Sequence, residues 1–143
     1  MEQNAYYQVD AKGIAFTGGG FNAGLRDLAR FGELLRNHGK FNGEQLFPVE
    51  AVKDIEKGGS KKAFKKSNHP GLKGWSYRNM WWITENKNGA YTARGVHGQT
   101  IYIDPKAEMV IVRFASHPVA ANAANDATSL PAYQAVADYL MKK

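Results

Sequence analysis

The segment 99-QTIYIDPKAEMVIVRF-114 constrains the fold more than any other part of the chain. Ile101 and Ile103 on one side of Asp104-Pro105, and Val110 and Val112 on the other, recur at every second residue. That period places side chains on one face of a strand, and Asp-Pro is a turn signal, so the segment predicts a β-hairpin with strands at 99–104 and 109–115. An apolar hairpin face has to be covered, so the chain must carry elements that pack on it. The hairpin is led in by 95-GVHGQ-99, a histidine held between glycines. Such a histidine can be catalytic, can touch a ligand, or can fill space where the backbone bends.

The rest of the chain supplies the covering elements. After a short extended piece around Tyr6, Tyr7 and Val9 and a turn at 10-DAKG-13, the break 18-GGGFN-22 leads into a helix. Asn22 is its expected N-cap, Leu25, Leu28, Ala29, Phe31 and Leu35 form its apolar stripe, and Gly39 is its stop. Arg26, Asp27, Arg30, Glu33 and Arg36 fall on the outer face, with Asp27 and Arg30 spaced to pair. Pro48 suits the first turn of a short helix that ends before Gly58-Gly59. The run 75-WSYRNMWWIT-84 reads as a strand, Asn88-Gly89 as a turn, and 90-AYTARGV-96 as the return strand. A final helix follows from Leu130, Tyr133, Val136, Ala137 and Leu140, with Ser129 as its cap and Pro131 in its first turn.

The expected fold is therefore α+β, a single domain over 1–143. Helices come first, then a three- to four-stranded antiparallel sheet, then a C-terminal helix packed on it. Such a sheet leaves an edge uncovered. Trp75, Trp81, Trp82 and Phe114 also offer more apolar surface than so small a layer hides, so the chain reads as an incomplete domain. Self-association through the uncovered edge is the corresponding expectation.

Composition narrows the function classes. A content of 43% hydrophobic and 22% charged residues is that of a globular protein. With no cysteine, thiolate metal sites and a cysteine nucleophile are excluded. No apolar run approaches the ~20 residues of a membrane span, and the polar start 1-MEQNAYYQVD lacks a signal-peptide pattern, so no membrane partner is expected and the compartment stays open. The net charge is +6, and part of it sits in one run, 61-KKAFKK-66. That run lacks arginine and stacking aromatics apart from Phe64, so a solvated surface loop is expected and nucleic acid is not.

Local catalytic motifs are missing. Ser60, Ser67, Ser76, Ser116 and Ser129 have no lysine three residues on, there is no Gly-x-Ser-x-Gly elbow, and 18-GGG-20 lacks the Gly-Lys-Ser/Thr of a phosphate loop. The histidines lack metal-pair spacing, so neither metal nor cofactor is expected. Tyr77-Arg78-Asn79 matches the short Tyr-x-Asn pattern of some serine hydrolases, but packing and turn roles fit it better.

Two blocks then carry a resemblance. The segment 18-GGGFNAGLRDLARFGELLRNHGKFNGEQLFP-48, and the later order 81-WW-82, 95-GVHGQ-99, 101-IYIDP-105 and 109-MVIVRFAS-116, resemble β-lactamase-related serine hydrolases. The nearest branch is that of 6-aminohexanoate-dimer hydrolases and esterases, and the match runs over nearly the whole chain. The resemblance implies that 93–95 stands at the Lys-Thr/Ser-Gly box of the family. Gly95 matches the box glycine, and Val96 the residue whose backbone N–H completes the oxyanion hole. Ala93 and Arg94 replace the lysine and hydroxyl, which disfavours β-lactams as substrate. Gly95, His97, Gly98, Arg94, Trp82 and Trp81 are the implied substrate-side residues, with His97 as pocket wall or structural support. Trp81 and Trp82, adjacent on a strand, should face opposite ways.

In the family both Ser-x-x-Lys and the general-base tyrosine precede the Gly-Gly block, and the first 17 residues here contain neither. The resemblance thus implies the C-terminal portion of a hydrolase that cleaves an ester, amide or lactam through an acyl-serine. It would carry no catalytic nucleophile of its own and be inactive alone. The alternative is a non-catalytic module that binds a small ligand or a protein through Trp81, Trp82 and His97.

Overall fold

Small hairpins and helices come before the main sheet, in an order set by where the turn residues fall. The computed structural model describes residues 1–142. Strand β1 (Tyr6–Tyr7) pairs antiparallel with β2 (Phe21–Asn22), and α1 (Leu25–Arg36) follows. Next come the hairpin of β3 (Lys40–Phe41) and β4 (Glu44–Gln45), then α2 (Val49–Glu56) and the short α3 (Lys61–Phe64). The main sheet is built from β5 (Ser76–Arg78), β6 (Trp81–Ile83), β7 (Tyr91–Arg94), β8 (Thr100–Asp104) and β9 (Met109–Arg113). Its strands are ordered as in sequence and are all antiparallel. The long helix α4 (Ala123–Leu140) closes the chain.

The fold is α+β as expected, but the sheet has five strands rather than three or four. The run 75–84 is two strands, because Asn79 and Met80 both take positive φ, 48° and 66°, and turn the chain back on itself. Arg78 and Trp81 are the facing pair that closes this hairpin. Asparagine tolerates the left-handed region; methionine does so at a cost. The turn is held from outside, since Asp54 on α2 accepts from Arg78 Nε at 3.0 Å, Arg78 Nη2 at 2.7 Å and Asn79 Nδ2 at 2.8 Å.

The alternation read in the hairpin sorts two cores onto the two faces of the sheet. Tyr91, Ile83 and Ile103 meet Leu35 of α1 and Val52 and Ile55 of α2 on one face, with Ile101, Val110 and Trp81 packed alongside. On the other face Ala90, Tyr102 and Met109 meet Tyr133 and Ala137 of α4. Helices thus cover both faces, and the sheet is a middle layer. The two hairpin turns are also tied together: buried Asp104 accepts from Asn88 Nδ2 at 2.8 Å and from Ala107 N at 3.0 Å.

Two helix starts differ from expectation. α1 begins after Gly24 with no side-chain cap, while Asn22 lies in β2 and its Nδ2 donates to Gly20 O. α4 begins at Ala123, so Ser129 and Pro131 lie inside it, and Ser129 Oγ accepts from Arg113 Nη1 at 2.7 Å. The stripe of α1 is also divided. Gly32 and Leu35 face the sheet, whereas Leu25 and Phe31 stay exposed. Asp27, expected outside, is buried and accepts from the backbone N–H groups of Glu2 and Gln3 as well as from Arg30. The basic run 61–66 opens as the helix α3, capped by Ser60, and Lys61 pairs with Glu85 at 2.9 Å.

Candidate functional site

The glycine-histidine turn sits where β7 ends. Gly95 N donates to Gln99 O at 2.9 Å, and residues Val96–Gly98 make one 3₁₀ turn before β8. His97 takes a positive φ of 56° inside that turn, and Gly98 follows at +93°. A Cβ on Gly98 would lie 2.4 Å from His117 Cδ2 and 2.7 Å from Arg113 Nη2, so only glycine fits against them. Val96, at the outer bend, is 64% exposed.

A cleft of about 340 Å³ opens beside this turn. It is lined by Trp82, Arg94, Gly95 and Val96, by His69 and Leu72 from the loop after α3, and by Asn122 and Asp126 from the start of α4. Aromatic packing shapes the lining: Trp82 is met edge-on by His69 at 4.8 Å, Tyr77 at 5.3 Å and Phe64 at 5.8 Å between centroids. Offset and edge contacts of this kind hold a ring rigidly.

The arginine in the cleft is already occupied. Arg94 Nη2 binds Asp126 Oδ1 at 2.6 Å, with the two side chains only 9% and 12% exposed. Its guanidinium carbon also lies 5.3 Å from the Trp82 ring centre and 5.7 Å from that of Trp75. Carboxylate and aromatic faces together offset the charge in a partly dry setting, while Arg94 Nη1 is buried without a hydrogen-bond partner among the described residues.

The other sequence-derived residues divide. Trp81 faces away from Trp82, packs edge-on against Tyr91 at 5.3 Å and belongs to the core. His97 points to the segment after β9: its Nδ1 lies 2.7 Å from His117 O, its N–H donates to Ala120 O at 3.0 Å, and its carbonyl accepts from His117 N at 3.1 Å. Gly98 lies behind the cleft at a cavity of about 20 Å³ that Arg94 and Arg113 also line. Arg113 Nη2 there contacts His117 Nε2. Sequence reasoning missed His69, Asn122 and Asp126. The first stands in a stretch with no regular pattern, and the others fall where the start of α4 was not recognised.

The site's frame is a sheet with helices on both faces and a glycine turn at the end of its third strand, and its likeness to two 6-aminohexanoate-dimer hydrolases makes the chain a β-lactamase-related C-terminal portion. No family model matches the chain. It is 32% identical over 118 residues to a 6-aminohexanoate-dimer hydrolase of Paenarthrobacter ureafaciens, a match that takes in 82% of this chain and 30% of that protein. A solved structure titled "Putative 6-aminohexanoate-dimer hydrolase from Bacillus anthracis" superposes with a TM-score of 0.81 at 40% identity, over 99% of this chain and 35% of that one. The chain therefore spans about a third of the length of these relatives.

Proposed function

We propose that this chain forms one wall of the active site of a serine hydrolase and supplies an oxyanion-hole donor, while the nucleophile and its base lie on sequence outside these residues. The observation that carries this reading is the placement of Val96. Its backbone amide follows the end of β7, on an exposed bend, at the lip of a cleft walled by Trp82 and Arg94. An N–H at such a position suits the oxygen of a tetrahedral intermediate, and a single donor of this kind is worth about 10²–10³ in rate. In the reaction a serine oxygen bonds to the acyl carbon, the C–N or C–O bond breaks, and the leaving group takes the serine's proton. Water then splits the acyl-serine and restores the hydroxyl.

The state of Arg94 bears on the substrate. Its Nη2 is matched by Asp126 and its plane faces two tryptophans, so only Nη1, buried and without a partner among the described residues, remains for a further acceptor. With most of that arginine engaged, β-lactams are disfavoured as substrate, and the relatives this chain resembles are named 6-aminohexanoate-dimer hydrolases.

Intact-mass measurement with a fluorophosphonate tests the reading. The chain alone should take up no label, and mixing it with the remaining N-terminal portion of the Bacillus anthracis relative should restore serine labelling and amide hydrolysis on that portion. Stoichiometric labelling of a serine in this chain alone would overturn it. A second reading, a ligand-binding module without catalysis, draws on the 340 Å³ cleft that residues of this chain line. Micromolar binding of a short amide by the isolated chain, without turnover in the mixture, would favour it.

A further inference from the structure

We propose that Asn122 is a positioning residue for the oxyanion hole, acting through the peptide that links Gly95 to Val96. This rests on the reading of Val96 as the donor. The peptide is a rigid plane with its C=O and N–H pointing opposite ways. Asn122 Nδ2 donates to Gly95 O at 2.9 Å, so it grips the back of the plane whose front carries the Val96 N–H. Turning that N–H away from the cleft would break the bond to Asn122.

Three further facts support the assignment. The next peptide is pinned by the same segment, because His97 N donates to Ala120 O at 3.0 Å, and the preceding one by Gly95 N to Gln99 O at 2.9 Å. Of these ties only Asn122 acts through a side chain. Its own orientation is set by this bond, since Asn122 Oδ1 is buried without a hydrogen-bond partner and the amide gains nothing else by facing this way. Finally, a hydrogen bond accepted by a peptide carbonyl polarises the N–H of the same unit, which strengthens it as a donor by about 10–30%. The segment 117–122 thus does for the reacting centre what a surrounding hydrogen-bond shell does for a metal ligand: it aims the group without touching substrate.

The test compares Asn122→Asp, which keeps the shape but cannot donate when ionised, with Asn122→Ala. In the isolated chain, ¹H–¹⁵N spectra of both variants should show the Val96 amide proton shifted upfield, with Tyr91 and Ile103 in the sheet unmoved. In the mixture with the N-terminal portion of the relative, kcat should fall about tenfold with KM nearly constant, because the lost interaction matters only in the transition state. An unmoved Val96 amide in both variants overturns the proposal, whatever the rate. Val96→Pro removes the N–H at a turn position that tolerates proline. If that variant abolishes turnover while Asn122→Asp leaves kcat intact, the proposal is again overturned. If Val96→Pro keeps full activity while the Asn122 variants move the amide, it is the oxyanion-hole reading that fails.

Discussion

At the scale of single residues, the ion pair between Asp54 and Arg78 has a consequence that pH can read. Hydrogen bonds from Arg78, then from Asn79, hold the Asp54 carboxyl down from its ordinary 3.8 to about 2. A group depressed in the folded state stabilises that state above its unfolded pKa and ceases to do so as pH falls through the folded value. The loss therefore falls in the window between about pH 4 and about pH 2. Urea midpoints across that window should drop less steeply in Asp54→Asn than in the parent chain; identical slopes would deny Asp54 this role. The same residues show what sequence reasoning could not reach. A packing or turn role fits Asn79, but with no glycine or proline at 79–80 the sequence does not mark the hairpin turn. It exists because a carboxylate distant in sequence holds both Arg78 and Asn79 in place.

At the scale of elements, α1 decides how closely the first helical layer approaches the sheet. Gly32 faces β8 and β9, and a Cβ there would lie 2.6 Å from Val110 Cγ1 and 3.2 Å from Ile101 Cγ2. Alanine gains about 1 kcal/mol of helix propensity over glycine. Overpacking against stiff β-branched side chains costs about 1–3 kcal/mol, which outweighs that gain. Gly32→Ala should thus lower the denaturant midpoint, and the added change Val110→Ala should recover part of the loss. Stabilisation by Gly32→Ala alone would mean that helix and sheet are not in close contact. The Asp-Leu-Ala-Arg-Phe block acquires a meaning at this scale too. Asp27 is a tether for the N-terminal residues rather than a surface charge, and the backbone N–H of Glu2 is the main reason its pKa is lowered. Periodicity identified the helix, but not that a carboxylate on its outer stripe would be buried by a strand of chain arriving from elsewhere.

At the scale of the whole molecule, the exposed surface is too large. The chain presents 9394 Å² to solvent, where a compact monomer of its mass presents about 7300 Å². Large apolar side chains stand exposed on and beside α1. Tyr7, Phe21, Phe31, Phe41 and Leu46 surround a groove of about 530 Å³, and β9 pairs only with β8, leaving its outer edge free among the described residues. An open strand edge beside an apolar groove favours pairing with another chain. Sedimentation of the isolated chain should accordingly show concentration-dependent self-association that the N-terminal portion of a relative suppresses. A monomer at every concentration would argue that the groove is stable when wet.

Alternating Ile and Val residues, the helical stripes and the turn pairs Asp104-Pro105 and Asn88-Gly89 were enough to place the last hairpin of the sheet, the bodies of α1, α2 and α4, and the glycine turn that carries Val96. These are local properties, since propensity and period act over a few residues. Tertiary structure alone decided that the sheet has five strands, that both its faces are covered, that Arg94 is neutralised by Asp126, and that Asn122 grips the peptide ahead of Val96. Each of those depends on a partner far along the chain, whose approach is set by packing and leaves no mark in the neighbouring residues.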